Sequence, residues 1–367
     1  MSNELRLSEF EQLTAIVYGD TFALYDEKSF DEFLSPFYSR LKANKIDLNI
    51  FKDKRCLDAG CGGGRGSILM AQCGAREVIG VDLSPANIES SRKRAAQKGF
   101  TNLTFQQHSL IELPFEDESF DVVWCNGVLH HSENPDQGLR EITRVLKKGG
   151  YLWLYLYGSG GIYWHVVDWI RETLQDVDVR DCISQLRLMD TPVRRIGEWI
   201  DDWFVPHLRR YTVEDVTLRL DELGYKNTQA LQFGVQYDTS QRRVQATANE
   251  LDLMGDGDVR HFCRKVNDVS GNRHVLPDPP DGKGSPYVDA PIVFQFDGLL
   301  SEVAKNLRKL ESQRGFDIAP YKILVSRSVH TKVRSLIENA ADFDSKALHK
   351  HLTDLNVLLD NFVSNRK

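Results

Sequence analysis

Leu57-Asp58-Ala59-Gly60-Cys61-Gly62-Gly63-Gly64 lies between a short apolar run that begins at Arg55 and a helix-like stretch that opens with Arg65. Glycines at 60, 62 and 64 let the backbone reverse tightly and approach a ligand closely, and the start of the following helix offers N–H groups that no helical carbonyl uses. A nucleotide-like ligand fits such a turn. The spacing is D-x-G-x-G-x-G. Arg65 stands where a G-x-G-x-x-G dinucleotide fingerprint needs its third glycine, so a nicotinamide-dependent dehydrogenase ranks last among the enzyme readings.

Outward from this turn, the runs RCLDAG, EVIGVDLS, LTFQQHS, FDVVWCNG and GYLWLYLYG alternate with helical stretches. Parallel strands need crossover connections of that length, so the expected fold is α/β, with a doubly wound, mostly parallel sheet. The helix before the fifth run has Asn134 as its cap, Pro135 in its first turn, an apolar face of Leu139, Ile142, Val145 and Leu146, and Gly149-Gly150 as its stop. Helical spacing over residues 7–44 predicts an amino-terminal helical cap. After strand five, residues 162–210 carry Trp164, Trp169, Trp199 and Trp203 at helical spacing, either as core or as aromatic walls for an acceptor. His165, Asp168 and Arg171 on its first helix are secondary candidates. A capped helix begins after Thr212, and strands at 228–235 and 258–265 would close the sheet as an antiparallel pair. The Pro- and Gly-rich stretch 267–291 reads as a linker, and 292–367 as a mostly helical carboxyl-terminal extension.

The chain has 367 residues, 41% of them hydrophobic and 27% charged, enough for two or three domains at about 150 residues each. Its 46 basic and 53 acidic residues leave a net charge of -7, which argues against bulk binding to nucleic acid or anionic lipid. Six cysteines form no C-x-x-C pair and read as reduced thiols. No signal pattern and no run of about 18 apolar residues occurs, so a cytoplasmic protein without membrane contact is expected. No H-E-x-x-H occurs, and His349 and His351 point to different sides of a helix, so no metal is expected.

The glycine string resembles the S-adenosylmethionine (SAM) site of class I methyltransferases. Asp82, in VIGVDLS, falls 24 residues beyond Asp58, where that family binds both ribose hydroxyls. LPFEDESFDVVWCNGVLHH and LREITRVLKKGGYLWL are similar to the block around strands four and five in ubiquinone and menaquinone C-methyltransferases. The resemblance covers residues 51–158, thins out to about 265 and stops there. It implies a seven-stranded, Rossmann-like methyltransferase domain over 51–266, a cap over 1–50 and a helical lid inserted at about 160–210. It also implies SAM as cofactor, held by Asp58, Gly60, Cys61, Gly62, Gly64 and Asp82, with Leu83 on the adenine and Asn126 near the methionine end. Where the family carries Asp or Asn for the adenine amino group, this chain has Ser109. A serine still accepts one hydrogen bond, and the N–H of Leu110 can meet a ring nitrogen. Arg65 either reaches the SAM carboxylate or covers the first helix turn.

Methyl transfer to a hydroxyl, an amine or an acidic carbon also requires a proton acceptor, and histidine suits neutral pH. His130 and His131 follow strand four, at the edge where parallel sheets bind ligands. His130 is the preferred base. Phosphoethanolamine methyltransferases, which look similar here, use a histidine at that place with an amino-terminal tyrosine over the cofactor, a part open to Tyr18 or Tyr25. The alternative is that the two histidines only cap a loop. The expected activity is methyl transfer to a small-molecule acceptor, with a homodimer through the insertion or the carboxyl-terminal helices. The alternatives are an RNA or other nucleic-acid methyltransferase and a SAM-binding interaction protein without activity. Against the former, Asn126-Gly127-Val128-Leu129 lacks the Pro-Pro-aromatic string of enzymes that act on exocyclic base amines.

Overall fold

Alternation of side chains along Arg55–Ala59 sends Cys56 and Leu57 to opposite faces of one sheet, and each face is buried by helices. The computed structural model describes residues 7–228, 230–231, 248–266, 291–313, 316–338 and 344–364. In chain order these form α1 (Glu9–Phe22), α2 (Glu27–Ala43), β1 (Arg55–Ala59), α3 (Arg65–Gln72), β2 (Glu77–Asp82), α4 (Pro85–Gln97), β3 (Leu103–Gln107), β4 (Phe120–Asn126), α5 (Pro135–Val145) and β5 (Leu146–Tyr157). There follow α6 (Gly161–Thr173), α7 (Val179–Leu188), α8 (Val193–Phe204), α9 (Val213–Glu222), β6 (Tyr225–Lys226), α10 (Ala248–Met254), β7 (Asp258–Lys265), α11 (Pro291–Glu311), α12 (Ala319–Glu338) and α13 (Ser345–Ser364).

The seven strands lie in the order β3-β2-β1-β4-β5-β7-β6. The first five pair in parallel, β7 runs antiparallel to β5, and β6 antiparallel to β7. This is the mostly parallel, doubly wound sheet that the sequence predicts. On one face Leu57, Val123, Leu154 and Ile142 pack together; on the other Val78, Val122, Trp124 and Trp153 meet Phe30 and Phe37 of α2 and Ile68 to Met70 of α3. Burial of each such side chain contributes about 1.5–3 kcal/mol.

Two boundaries differ from expectation. The helix before strand five stops at Val145, and Leu146 already pairs with Phe120, so Gly149-Gly150 forms an irregularity inside the strand, with Gly149 at φ +83°. The expected strand at 228–235 is preceded by a short strand at Tyr225–Lys226, and Ala230 bridges to His261 while the Leu231 N–H donates to the Arg260 carbonyl at 2.7 Å; most of that span, like the expected linker at 267–291, lies outside the described residues.

The chain divides into two compact units. The first comprises Met1–Gly158, Val205–Arg242 and Asp258–Asp281 and holds the sheet; the second comprises Ser159–Phe204, Arg243–Gly257 and Gly282–Lys367. The insertion and the carboxyl-terminal helices, kept apart in the sequence reading, thus share one unit, and the amino-terminal helices belong with the sheet. Within the second unit the four tryptophans are buried. The Trp169 indole N–H donates to the Leu300 carbonyl at 3.1 Å and that of Trp203 to His330 Nδ1 at 2.9 Å, so the tryptophans build core. His165 pairs with Asp297 at 2.6 Å, and Arg171 donates to the Asp202 carbonyl at 2.9 Å.

Candidate active site

The ends of β1 and β2 set the site. Gly60, Gly62 and Gly64 all take left-handed backbone, at φ +78°, +50° and +85°. At Gly60 a Cβ would come within 2.4 Å of Val128, and at Gly62 within 2.9 Å of the Phe22 ring, so this turn accepts no larger residue without displacement. The Gly62 N–H donates to Asp82 Oδ2 at 2.8 Å, while Oδ1 receives the Ser84 N–H at 2.9 Å and the Asn87 amide at 3.1 Å. Burial pushes the Asp82 carboxyl above its ordinary range and these donors act against the rise. Three donors leave one of about four lone-pair sites open, on Oδ2.

Asp58 is buried more deeply. Its Oδ2 accepts from the Ser67 hydroxyl at 2.7 Å, and burial lifts its pKa to about 6. It fixes the start of α3. Cys61 departs from expectation: its N–H donates to the Val81 carbonyl at 2.8 Å and its side chain packs with Ile88 and Phe105, so it backs the turn and does not line it. Burial also drives its thiol well up, which makes it a poor nucleophile. Arg65 lies over the rings of Phe22, Phe33 and Phe37 at 5.2–5.7 Å, covering the helix turn.

Helix α1 runs across the carboxyl ends of these strands. A capping box of Ser8 and Glu11 starts it. Phe10 stacks on His207 at 3.7 Å, Glu11 meets the Ser109 hydroxyl, Tyr18 presents its ring 5.6 Å from His131, Gly19 faces Ser84, and Phe22 covers Gly62. Ser109, expected to face an adenine amine, spends its proton on Glu11 and accepts the Ile111 N–H at 3.3 Å. Leu110 is buried beside it, and partly exposed Leu83 accepts the Gln107 amide on its carbonyl at 2.9 Å. At the other end, Asn126 Oδ1 takes the Trp153 indole N–H at 3.0 Å, which leaves its amide nitrogen as donor.

The two histidines have different surroundings. His130 has no exposed surface, stacks on Tyr157 at 4.0 Å, and neither of its ring nitrogens has a partner among the described residues. Burial, with His131 adjacent, holds its pKa well below the usual value, so it stays neutral. His131 Nδ1 lies 2.9 Å from the His207 carbonyl, which can only accept; the neutral ring therefore keeps its proton on Nδ1 and its lone pair on Nε2. Tyr18 presents its ring to His131, while Tyr25 packs on Phe22 and Phe33. Sequence reasoning missed Glu11, Phe22, His207 and Arg94, which donates to the Gly63 carbonyl and to Glu27, both at 2.9 Å. Only Glu11 left a trace, in the Ser8-x-x-Glu11 spacing of a helix start.

Residues 50–176 match the family model described as a methyltransferase domain. The chain is 37% identical over 98 residues to an uncharacterized methyltransferase, YcgJ, of Bacillus subtilis (strain 168), covering 27% of this chain and 38% of that one. It is 38% identical over 99 residues to 27-O-demethylrifamycin SV methyltransferase of Amycolatopsis mediterranei (strain S699), covering 27% and 36%. In both cases the chain spans well under two thirds of the relative's length. To demethylmenaquinone methyltransferase of Tropheryma whipplei (strain Twist) it is 30% identical over 205 residues, covering 55% of this chain and 79% of the relative. With the glycine turn, the strand-end acid and the strand order already described, that breadth of match makes the chain a member of the class I SAM-dependent methyltransferase family.

Proposed function

We infer that the chain transfers a methyl group from SAM to a small-molecule acceptor through oxygen, nitrogen or carbon. The observation that carries this is Asp82: two backbone N–H groups and the Asn87 amide fix its carboxylate beside the glycine turn, with acceptor capacity left for a sugar hydroxyl. When bound, SAM supplies a methyl group activated on a sulfonium, for a nucleophile held in line at about 3 to 3.5 Å. The chain's own tasks are then to hold the two partners and to take up a proton. Asn126 offers its amide nitrogen at the end of β4. His131, oriented through Nδ1 by the His207 carbonyl and flanked by Tyr18, is the proton acceptor in this reading, and His130 supports it from below.

The names of the rifamycin and demethylmenaquinone relatives support a small acceptor, as does the net charge of -7, which gives phosphate backbones no general attraction. Among the described residues no helix is long and apolar enough to cross a membrane. The cytoplasm, where free cysteines stay reduced, is the setting we assign, and a homodimer through the helical insertion or the carboxyl-terminal helices is the assembly. The test is release of S-adenosylhomocysteine (SAH) when the purified protein is given labelled SAM with pooled metabolites or with RNA. Label in the metabolite fraction is expected. Label in RNA, or binding of SAH with no transfer to any pool, overturns the reading.

A further inference from the structure

On the cofactor reading of Asp82, the sheet order β3-β2-β1-β4 sets which strand ends flank an adenosyl group. With the sugar on Asp82 at the end of β2, and the sulfur end toward β4, His131 and Tyr18, the base extends outward to the end of β3. There the chain continues as His108-Ser109-Leu110. The acid at that ledge does not come from the sheet. Glu11, on α1, is only 7% exposed and reaches Ser109 from 98 residues away in sequence; its other oxygen takes the Ser8 N–H at 3.1 Å. Among the described residues its donors are the Ser8 N–H and the Ser109 hydroxyl, both neutral, although a buried carboxylate requires donors. The Ser8 N–H and hydroxyl contacts use part of about four lone-pair sites, so capacity remains on the Ser109 side.

We propose that Glu11 accepts the exocyclic amine of the adenine, so that the amino-terminal helix, and not the sheet, selects the base of the cofactor. A 6-oxo purine would set its own lone pairs against the carboxylate and be rejected. Ser109 positions the acid by donating its hydroxyl to it. This inference rests on the cofactor reading of Asp82.

The experiment is calorimetric titration of the full chain with SAH and with its 6-oxo counterpart, S-inosylhomocysteine, for the native protein and for Glu11→Gln and Glu11→Ala. Glutamine keeps the capping geometry, so the first variant serves even where the second fails to fold. The native chain should prefer the adenosyl compound by about ten-fold or more, and Glu11→Gln, whose amide can face either group, should lose most of that preference. An unchanged ratio of the two dissociation constants in Glu11→Gln overturns the assignment of Glu11 alone. A native chain that binds neither compound overturns the cofactor reading together with it.

Discussion

Asp82 in the sheet unit and Asp202 in the helical unit are both carboxyls that burial pushes above the usual range, yet they use their oxygens differently. Asp82 ends a strand, takes N–H groups from the backbone around it, and keeps an acceptor toward the glycine turn. Asp202 sits inside a helical core, 5% exposed, and closes on the Tyr163 hydroxyl among the residues that carry Trp199, Trp203 and His330. A perturbed acid marks a site only where the fold leaves it something to bind. The histidines differ in polarity instead: His330 Nδ1 accepts the Trp203 indole N–H, whereas the Nδ1–H of His131 faces the His207 carbonyl.

The largest effect expected from this contrast is on turnover. His131→Ala should lower kcat per folded molecule by about 10²–10⁴-fold, well beyond what its loss of melting temperature accounts for. His330→Ala should lower the melting temperature and leave kcat per folded molecule within a small factor. Equal losses of kcat would erase the distinction.

Next in size, Asp82→Ala should weaken SAH binding by about 100-fold, since each hydrogen bond to a charged group is worth about 1.5–3 kcal/mol. Asp202→Asn should leave that affinity unchanged in the same titration.

A third test separates acids by pH. Asp58 has its folded pKa raised to about 6 above the carboxyl value of 3.8, so its contribution to stability is complete below about pH 4 and is lost as the pH rises through 6. Two units correspond to roughly 3 kcal/mol. Between pH 4.5 and 7 the urea midpoint of the native chain should therefore fall relative to that of Asp58→Asn; parallel curves would show that burial of Asp58 carries no such cost.

The smallest effect concerns Asp202→Ala, which strands the Tyr163 hydroxyl and should cost about 1–3 kcal/mol of stability. No change would mean that water replaces the lost carboxyl and that this core is more open than its burial indicates.

Much of the sheet unit was legible because its signals are local. Glycine spacing, Asp82 and the apolar runs each speak within a few residues, and strand β7 falls at Asp258–Lys265, where the sequence reading put it. The helix stop at Gly149-Gly150 was misread because a double glycine marks a strand irregularity as readily as a helix end, and Leu146 satisfies either pattern. Contacts of α1 were invisible for a different reason. Glu11 to Ser109, Phe10 to His207 and Tyr18 to His131 span about a hundred residues or more, and no periodicity encodes them. The surroundings of His130 and His131 were hidden on the same ground, since the packing of Tyr157 and the His207 carbonyl, which tell the two rings apart, are distant in sequence. In the helical unit, amphipathic faces announced burial without naming what would bury them.

Trp124 and Trp153 stack at 4.5 Å with their planes 5° apart, and the second of them holds Asn126 through its indole N–H. Two chromophores so close and so nearly parallel share their excited states, and one of them is tethered to the edge where the methionine moiety would rest. The fold thereby carries an intrinsic optical gauge, readable in near-ultraviolet dichroism without any dye attached.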